Sequence, residues 1–207
     1  MNLEALFLRD KEEFEGWNEK LNEMFHLGFN LPYQVFKKGY GNYMFEEFDF
    51  LMEDGGWDEV KKIAQMTNDS FVVMGVLNPH PVKYYYKEFG YYNWLKLPFH
   101  LSGNQYIDVL DMYPVDSPAD SIMDNSSMIV WFSPSMEWII IGDREYGIGI
   151  LTIKDGSKLK HNFTSSDAWK EFDDDVLSWI SLNFEDENIY KEFIRTFSKN
   201  YSNNSRK

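Results

Sequence analysis

Residues 127–153 read SMIVWFSPSMEWIIIGDREYGIGILTI, and apolar, β-branched runs broken by turn residues mark three consecutive strands there. The first run, 128–132, stops at Ser133-Pro134-Ser135; the second, 136–141, stops at Gly142-Asp143; the third covers 146–153. A three-strand meander is the economical reading. Such a ribbon must bury at least one face, so the flanking segments have to supply helices that cover it. The expected fold class is α+β: a central, mainly antiparallel sheet with its meander at about 127–153, covered by N-terminal and C-terminal helices.

Outward from this centre, Phe14, Trp17, Leu21, Met24 and Phe25 recur at spacings of three and four, which predicts an amphipathic helix over 11–27 capped by Asp10. Gly28 ends it, Leu31-Pro32 breaks the chain, and 33–38 reads as a short helical turn or strand. Residues 43–54 interleave Phe with Glu and Asp and fit no single element. Helical spacing returns over 58–66, and FVVMGVL at 71–77, bounded by turn residues, predicts a strand buried on both faces. Tyr106-Ile107-Asp108-Val109-Leu110 reads as another strand. The Pro/Asp/Ser-rich stretch 114–126 has the length of a loop that binds something or stays mobile. Asp167 is expected to cap a helix carrying Trp169, Phe172, Val176 and Ile180, and a last helix over 187–197 to bury Ile189, Phe193, Ile194 and Phe197. Residues 1–200 then make a single domain and 201–207 a polar, frayed tail.

The chain of 207 residues is 43% hydrophobic and carries a net charge of −14. The first figure sets it apart from disordered chains, and the second excludes the basic footprint of a nucleic-acid binder. It has no cysteine, so disulfide and thiolate chemistry are absent. The N-terminus lacks a basic leader region, and no run approaches the roughly 18 apolar residues that span a bilayer, so no membrane association and a cytoplasmic location are expected. His26, His80, His100 and His161 stand at no metal-ligand spacing, and neither a nucleophile elbow nor a phosphate-binding loop occurs. No catalytic residue, cofactor or metal is therefore assigned. The alternative, an enzyme using carboxylates with His80 or His100 for acid–base work, requires a pocket holding a carboxylate with a raised pKa.

Three groups of residues are candidates for contact with a partner. Asp143-Arg144-Glu145 is a compact charged triplet where the fold is rigid, either a solubilised hairpin turn or a contact. Acidic residues concentrate at Glu46, Glu47 and Asp49, followed by Glu53, Asp54, Asp58 and Glu59, and again at Asp173, Asp174 and Asp175. Three adjacent Asp inside a helix repel and are weak helix formers, so stability alone gives no reason for them. The tyrosine-rich tract supplies Tyr85, Tyr86, Tyr92 and Trp94, whose apolar bodies and polar tips suit a partly wet interface or, equally, a strand pair at the core edge.

Within 138–151, Trp138, an apolar run, Gly142-Asp143-Arg144, Glu145-Tyr146 and a second apolar run resemble a strand-turn-strand of immunity proteins from bacterial polymorphic toxin systems. Leu27-Gly28, Leu31-Pro32-Tyr33 and Phe36 are similar to the opening of the SUKH immunity superfamily, with Gly39-Tyr40-Gly41-Asn42 standing where that superfamily has Asn-Gly-Gly. The resemblance implies a small, acidic, non-enzymatic protein that blocks a toxin by occluding its site. The expected partner is a basic protein, a toxin or nuclease. A second reading of the same physical class is a phage or mobile-element protein that inhibits a host nuclease or defence enzyme, its acidic faces mimicking nucleic acid. Nothing in the sequence sets the oligomeric state.

Overall fold

A computed structural model describes residues 1–159 and 168–202. Six strands, β1 (Tyr40–Glu47), β2 (Phe71–Asn78), β3 (Trp94–Pro98), β4 (Met128–Phe132), β5 (Trp138–Asp143) and β6 (Ile148–Lys154), form one sheet in the order β1-β6-β5-β4-β2-β3. Every pairing is antiparallel. The meander expected from residues 127–153 is present as β4-β5-β6, and the whole sheet is more than a meander: β1 returns to close one side and β2-β3 extend the other.

The helices are α1 (Lys11–Met24), α2 (Phe48–Leu51), α3 (Asp54–Met66), α4 (Lys87–Phe89), α5 (Gly103–Leu110), α6 (Asp174–Ser181) and α7 (Glu187–Tyr201). They lie on both faces of the sheet, because successive side chains of each strand point opposite ways and both sets are apolar. Trp131, Ile140 and Leu151 pack with Trp57, Val60 and Ile63 of α3 and with Tyr106 and Val109 of α5. Val130, Ile139, Ile141 and Ile150 pack with Phe14 and Leu21 of α1, Val176 and Ile180 of α6, and Phe193 and Phe197 of α7. The α2 turn sits close on the meander because Gly142 and Gly149 leave room: a Cβ at Gly142 would lie 2.9 Å from atoms of Phe48 and Trp131, and one at Gly149 would collide with Leu51.

Several elements differ from expectation, each for a local reason. Residues 103–110 are helical rather than a strand: Ser102 and Gln105 form a reciprocal capping box, and Tyr106, Val109 and Leu110 share one buried face. The uncertain segment 43–54 divides into the end of β1, the α2 turn and the start of α3, which begins four residues before the expected 58. Most of the tyrosine tract is not a strand pair: Pro81–Tyr86 makes a π-helical turn, continued by α4 and stopped at Gly90 with φ of +74°, and its last residue, Trp94, opens β3. α6 starts at Asp174, so Trp169 and Phe172 precede it, and Lys170 instead pairs its backbone with Phe45. The expected cap Asp167 lies outside the described residues. α7 outruns its expected end, and Tyr201, assigned to the tail, is buried with its hydroxyl accepting from the Val35 N–H and donating to the Tyr33 carbonyl. Residues 203–207 of that tail are outside the described residues. Ile189 is exposed, not buried, on the outer side of α7. The loop 114–126 is held by Asp120, whose carboxylate accepts from Tyr84 Oη at 2.7 Å, Asn125 Nδ2 at 2.6 Å and Ser117 Oγ at 2.5 Å.

Ile140 is fully buried at the centre of this arrangement. Ile140→Asp places an unpaired carboxylate there and is expected to cost about 3–5 kcal/mol, read as a lowered urea midpoint. An unchanged midpoint would mean that β5 does not occupy the sheet centre.

Candidate functional site

Strand register fixes where the site lies. Glu47 pairs with Ile148, Ile148 with Asp143, Asp143 with Met128, and Met128 with Asn78. The ends of five strands are thereby aligned along one end of the sheet. Here, on the α1 side, a cavity of about 630 Å³ is lined by Phe14 and Asn18 of α1, Phe25, Leu27, Phe29 and Asn30 just beyond it, Leu77, Asn78, His80 and Val82 after β2, Met128, and Asp143, Glu145 and Tyr146 of the β5-β6 turn. Its volume is in the range of about 300–1,000 Å³ typical of ligand sites.

Each wall has a sequence reason. Gly28, at φ of +87°, reverses the chain after α1 and leaves Leu27 and Phe29 exposed, with the His26 ring stacked on Phe29 at 5.1 Å. His80 caps the π-helical turn: its Nδ1 accepts from the N–H groups of Val82 at 3.1 Å and Lys83 at 3.2 Å. Accepting at Nδ1 calls for the neutral ring, protonated at Nε2, and burial followed by the Lys83 charge lowers its pKa accordingly. Asp143 closes the β5-β6 turn, its Oδ1 accepting from Glu145 N at 3.0 Å and Tyr146 N at 3.4 Å, while Gly147 takes φ of +64°. Only 4% of Asp143 is exposed. Burial pushes its carboxyl up to about 7, against the opposing pull of the Tyr146 N–H, with the Glu145 charge adding to the rise.

Arg144, the cation next in sequence to Asp143, is turned elsewhere. Its Nε donates to the Ser126 carbonyl at 2.7 Å, a terminal nitrogen donates to the Met123 carbonyl at 2.8 Å, and the guanidinium lies 4.8 Å from the Phe48 ring centre. Half-buried Arg144 thus anchors the preceding loop on the hairpin. Among the described residues no Lys or Arg pairs with Asp143 or Glu145, and none lines the cavity.

The other expected contact residues divide sharply. Tyr85, Tyr92 and Trp94 are buried and out of a partner's reach, a correction with a physical cause. Tyr85 Oη donates to the Asn125 carbonyl at 2.6 Å, Trp94 Nε1 to the Val76 carbonyl at 3.0 Å, and Tyr92 is stacked between Phe14 at 3.8 Å and Tyr86 at 4.5 Å. Tyr86 is the outer, exposed member of that three-ring stack, whose inner member Phe14 lines the cavity. Asp173, Asp174 and Asp175 have a stability role after all. Asp173 caps α6 through the Val176 N–H at 3.1 Å, the other two occupy the first turn where negative charge favours the helix dipole, and Lys170 pairs with Asp175 at 3.2 Å. Glu47 and Asp49 are exposed, whereas Glu46 is buried and its carboxyl is raised to about 7, chiefly by burial. The Lys170 ammonium is held up by Asp175 first and then by Asp173 and Glu46, so the two acidic concentrations meet around this lysine.

Leu27, Phe29 and Val82, the exposed apolar residues of the cleft, were not among the expected contact residues. The available signal was apolar side chains in turn sequence, immediately after a helix stop or a Pro. No group of three or more His, Asp and Glu among the described residues is placed to hold a metal ion, and no helix among them is long and apolar enough to cross a membrane. No protein-family model, curated protein or solved structure matches the chain.

Because the folded-state pKa of Asp143 lies above the ordinary carboxylate value of ~4, the folded chain binds more protons than the unfolded one between about pH 4 and 7, and this residue's contribution to stability falls as pH rises through that window. Asn at this position keeps the Oδ1 acceptor and carries no charge. Asp143→Asn is expected to match the parent near pH 4 and to exceed it by on the order of 4 kcal/mol at pH 8 in denaturant unfolding. A pH-independent difference would show that the carboxylate is solvated.

Proposed function

We propose that this chain is a non-enzymatic binding protein that neutralises a basic protein partner, a toxin or a nuclease, by covering the partner's working surface. One observation carries the reading: the two stretches that resemble immunity proteins, far apart in sequence, line the same cleft. Leu27, Gly28, Phe29 and Asn30 come from the first, and Asp143, Glu145 and Tyr146 from the second. The cleft combines an acidic pair with exposed Leu27, Phe29 and Val82 at its margin. In such a surface, apolar and aromatic contacts supply affinity while the charge of −14 supplies steering. Of the aromatic residues assigned from sequence, Tyr86 is exposed, and Phe29 at the cleft margin adds to it. The place of action in this reading is the cytoplasm. Whether the partner is a toxin blocked in its producer or a host nuclease blocked by a mobile element is discriminated by the neighbouring genes.

A second reading, acid–base catalysis, is favoured by Asp143, poised at about pH 7, lining the same cavity as His80. It requires a turnover that Asp143→Asn abolishes, whereas the binding reading requires none.

The test starts with capture of the partner from the native host, followed by binding kinetics. Phe29→Ala is expected to speed dissociation, with a loss of about 2 kcal/mol. Asn at positions 173, 174 and 175 together should slow association and flatten its salt dependence while leaving dissociation nearly unchanged. Parent-like kinetics in both variants would remove this surface from consideration.

A further inference from the structure

We propose that the cleft seats a cationic side chain of the protein partner, an arginine guanidinium or a lysine ammonium, against Asp143 and Glu145. This inference rests on the protein-binding reading above and specifies its chemistry.

Among the described residues no Lys or Arg lines the cleft, and Lys83 stands beside it at His80. The acidic residues among its lining are Asp143 and Glu145, and the remaining titratable candidate, His80, accepts two backbone hydrogen bonds at Nδ1, which calls for its neutral ring. Both hydrogen bonds to Asp143 reach Oδ1, and Oδ2 receives none among the described residues. Arg144 is positioned by two carbonyls and a phenyl ring instead of by the carboxylate beside it. Asp143, a residue only 4% exposed and with no paired cation among the described residues, therefore lines a cavity large enough for a side chain.

Turn formation does not require that arrangement. Asn would accept the same two backbone hydrogen bonds at this position without placing a charge in the interior. Asp is the choice that makes sense when a cation arrives from outside, since the charge buried at a cost in the free chain becomes paired in the complex. The margin of the cleft suits the rest of such a side chain. Leu27, Phe29 and Val82 are exposed apolar surface over which three or four methylenes can lie.

Two measurements test this. In the first, ¹⁵N-labelled protein is titrated with the blocked tripeptide acetyl-Gly-Arg-Gly-amide, with acetyl-Gly-Gln-Gly-amide as the uncharged control. The arginine peptide is expected to shift the amides of Leu27, Phe29, Val82, Glu145 and Tyr146, the control to leave them in place, and the double variant D143N/E145Q to lose the response. Absence of shifts, or shifts that persist in the double variant, overturns the seat. In the second, the captured partner is titrated with the same double variant, whose binding should weaken at least ~30-fold. A partner bound equally by parent and double variant overturns the seat while leaving the protein-binding reading intact. Failure to capture any protein, alongside a response to the tripeptide that depends on Asp143, overturns the protein-borne occupant and assigns the cleft to a small cation.

Discussion

Burial of both faces of β5 is the constraint on which the rest of the structure depends. Every residue from Trp138 to Asp143 is buried, so the strand needs a helix layer on each side, and the two hydrophobic clusters supply them. The same constraint fixes register. A slip of one residue would exchange Ile140 for Ile139 and send the whole strand's side chains to the wrong layers, whose shapes differ: one holds Trp57 and Tyr106, the other Phe14 and Phe197. With register fixed from β1 to β2, the strand ends align, and the turns beyond them enclose the cleft. The position of Asp143 is thus a consequence of core packing several residues away.

β2, β4, β5 and β6 were legible in the sequence because their apolar runs end at Ser-Pro-Ser, Gly-Asp and Asn-Pro, each with its own turn chemistry, whereas β1 and β3 were not read as strands. The helix at 103–110 was not, because Tyr-Ile-Asp-Val-Leu is too short to separate a period of two from one of 3.6. The deciding signal was the Ser102/Gln105 capping box just upstream. Asp173, Asp174 and Asp175 looked anomalous because the helix was begun too early; moving its start to Asp174 turns mid-helix repulsion into a cap and a favourable first turn. The burial of Tyr85, Tyr92 and Trp94 could not be read from a tract in which seven of the eleven residues from 84 to 94 are aromatic. Their partners, Asn125, Phe14 and Val76, are distant in sequence or on another element. The cleft was legible least of all, since it exists only where four connections meet.

The acidic residues consequently separate into two physical kinds. Asp173 and Asp120 are satisfied by hydrogen bonds that stabilise the fold. Asp143 and Glu46 are buried at a cost, their carboxyls raised to about 7 by desolvation. Proteins retain such costs where function uses them, and of the two, Asp143 lines a cavity with apolar margins. Net charge alone would have drawn attention to the exposed acidic surface instead.

Whether that cleft is the contact surface is tested most directly by hydrogen–deuterium exchange of the chain alone and with its captured partner. The cleft reading predicts new protection over residues 25–30, 80–82 and 143–146 in the complex. Protection confined to 46–59 and 173–175, with the cleft segments exchanging as in the free chain, would contradict it.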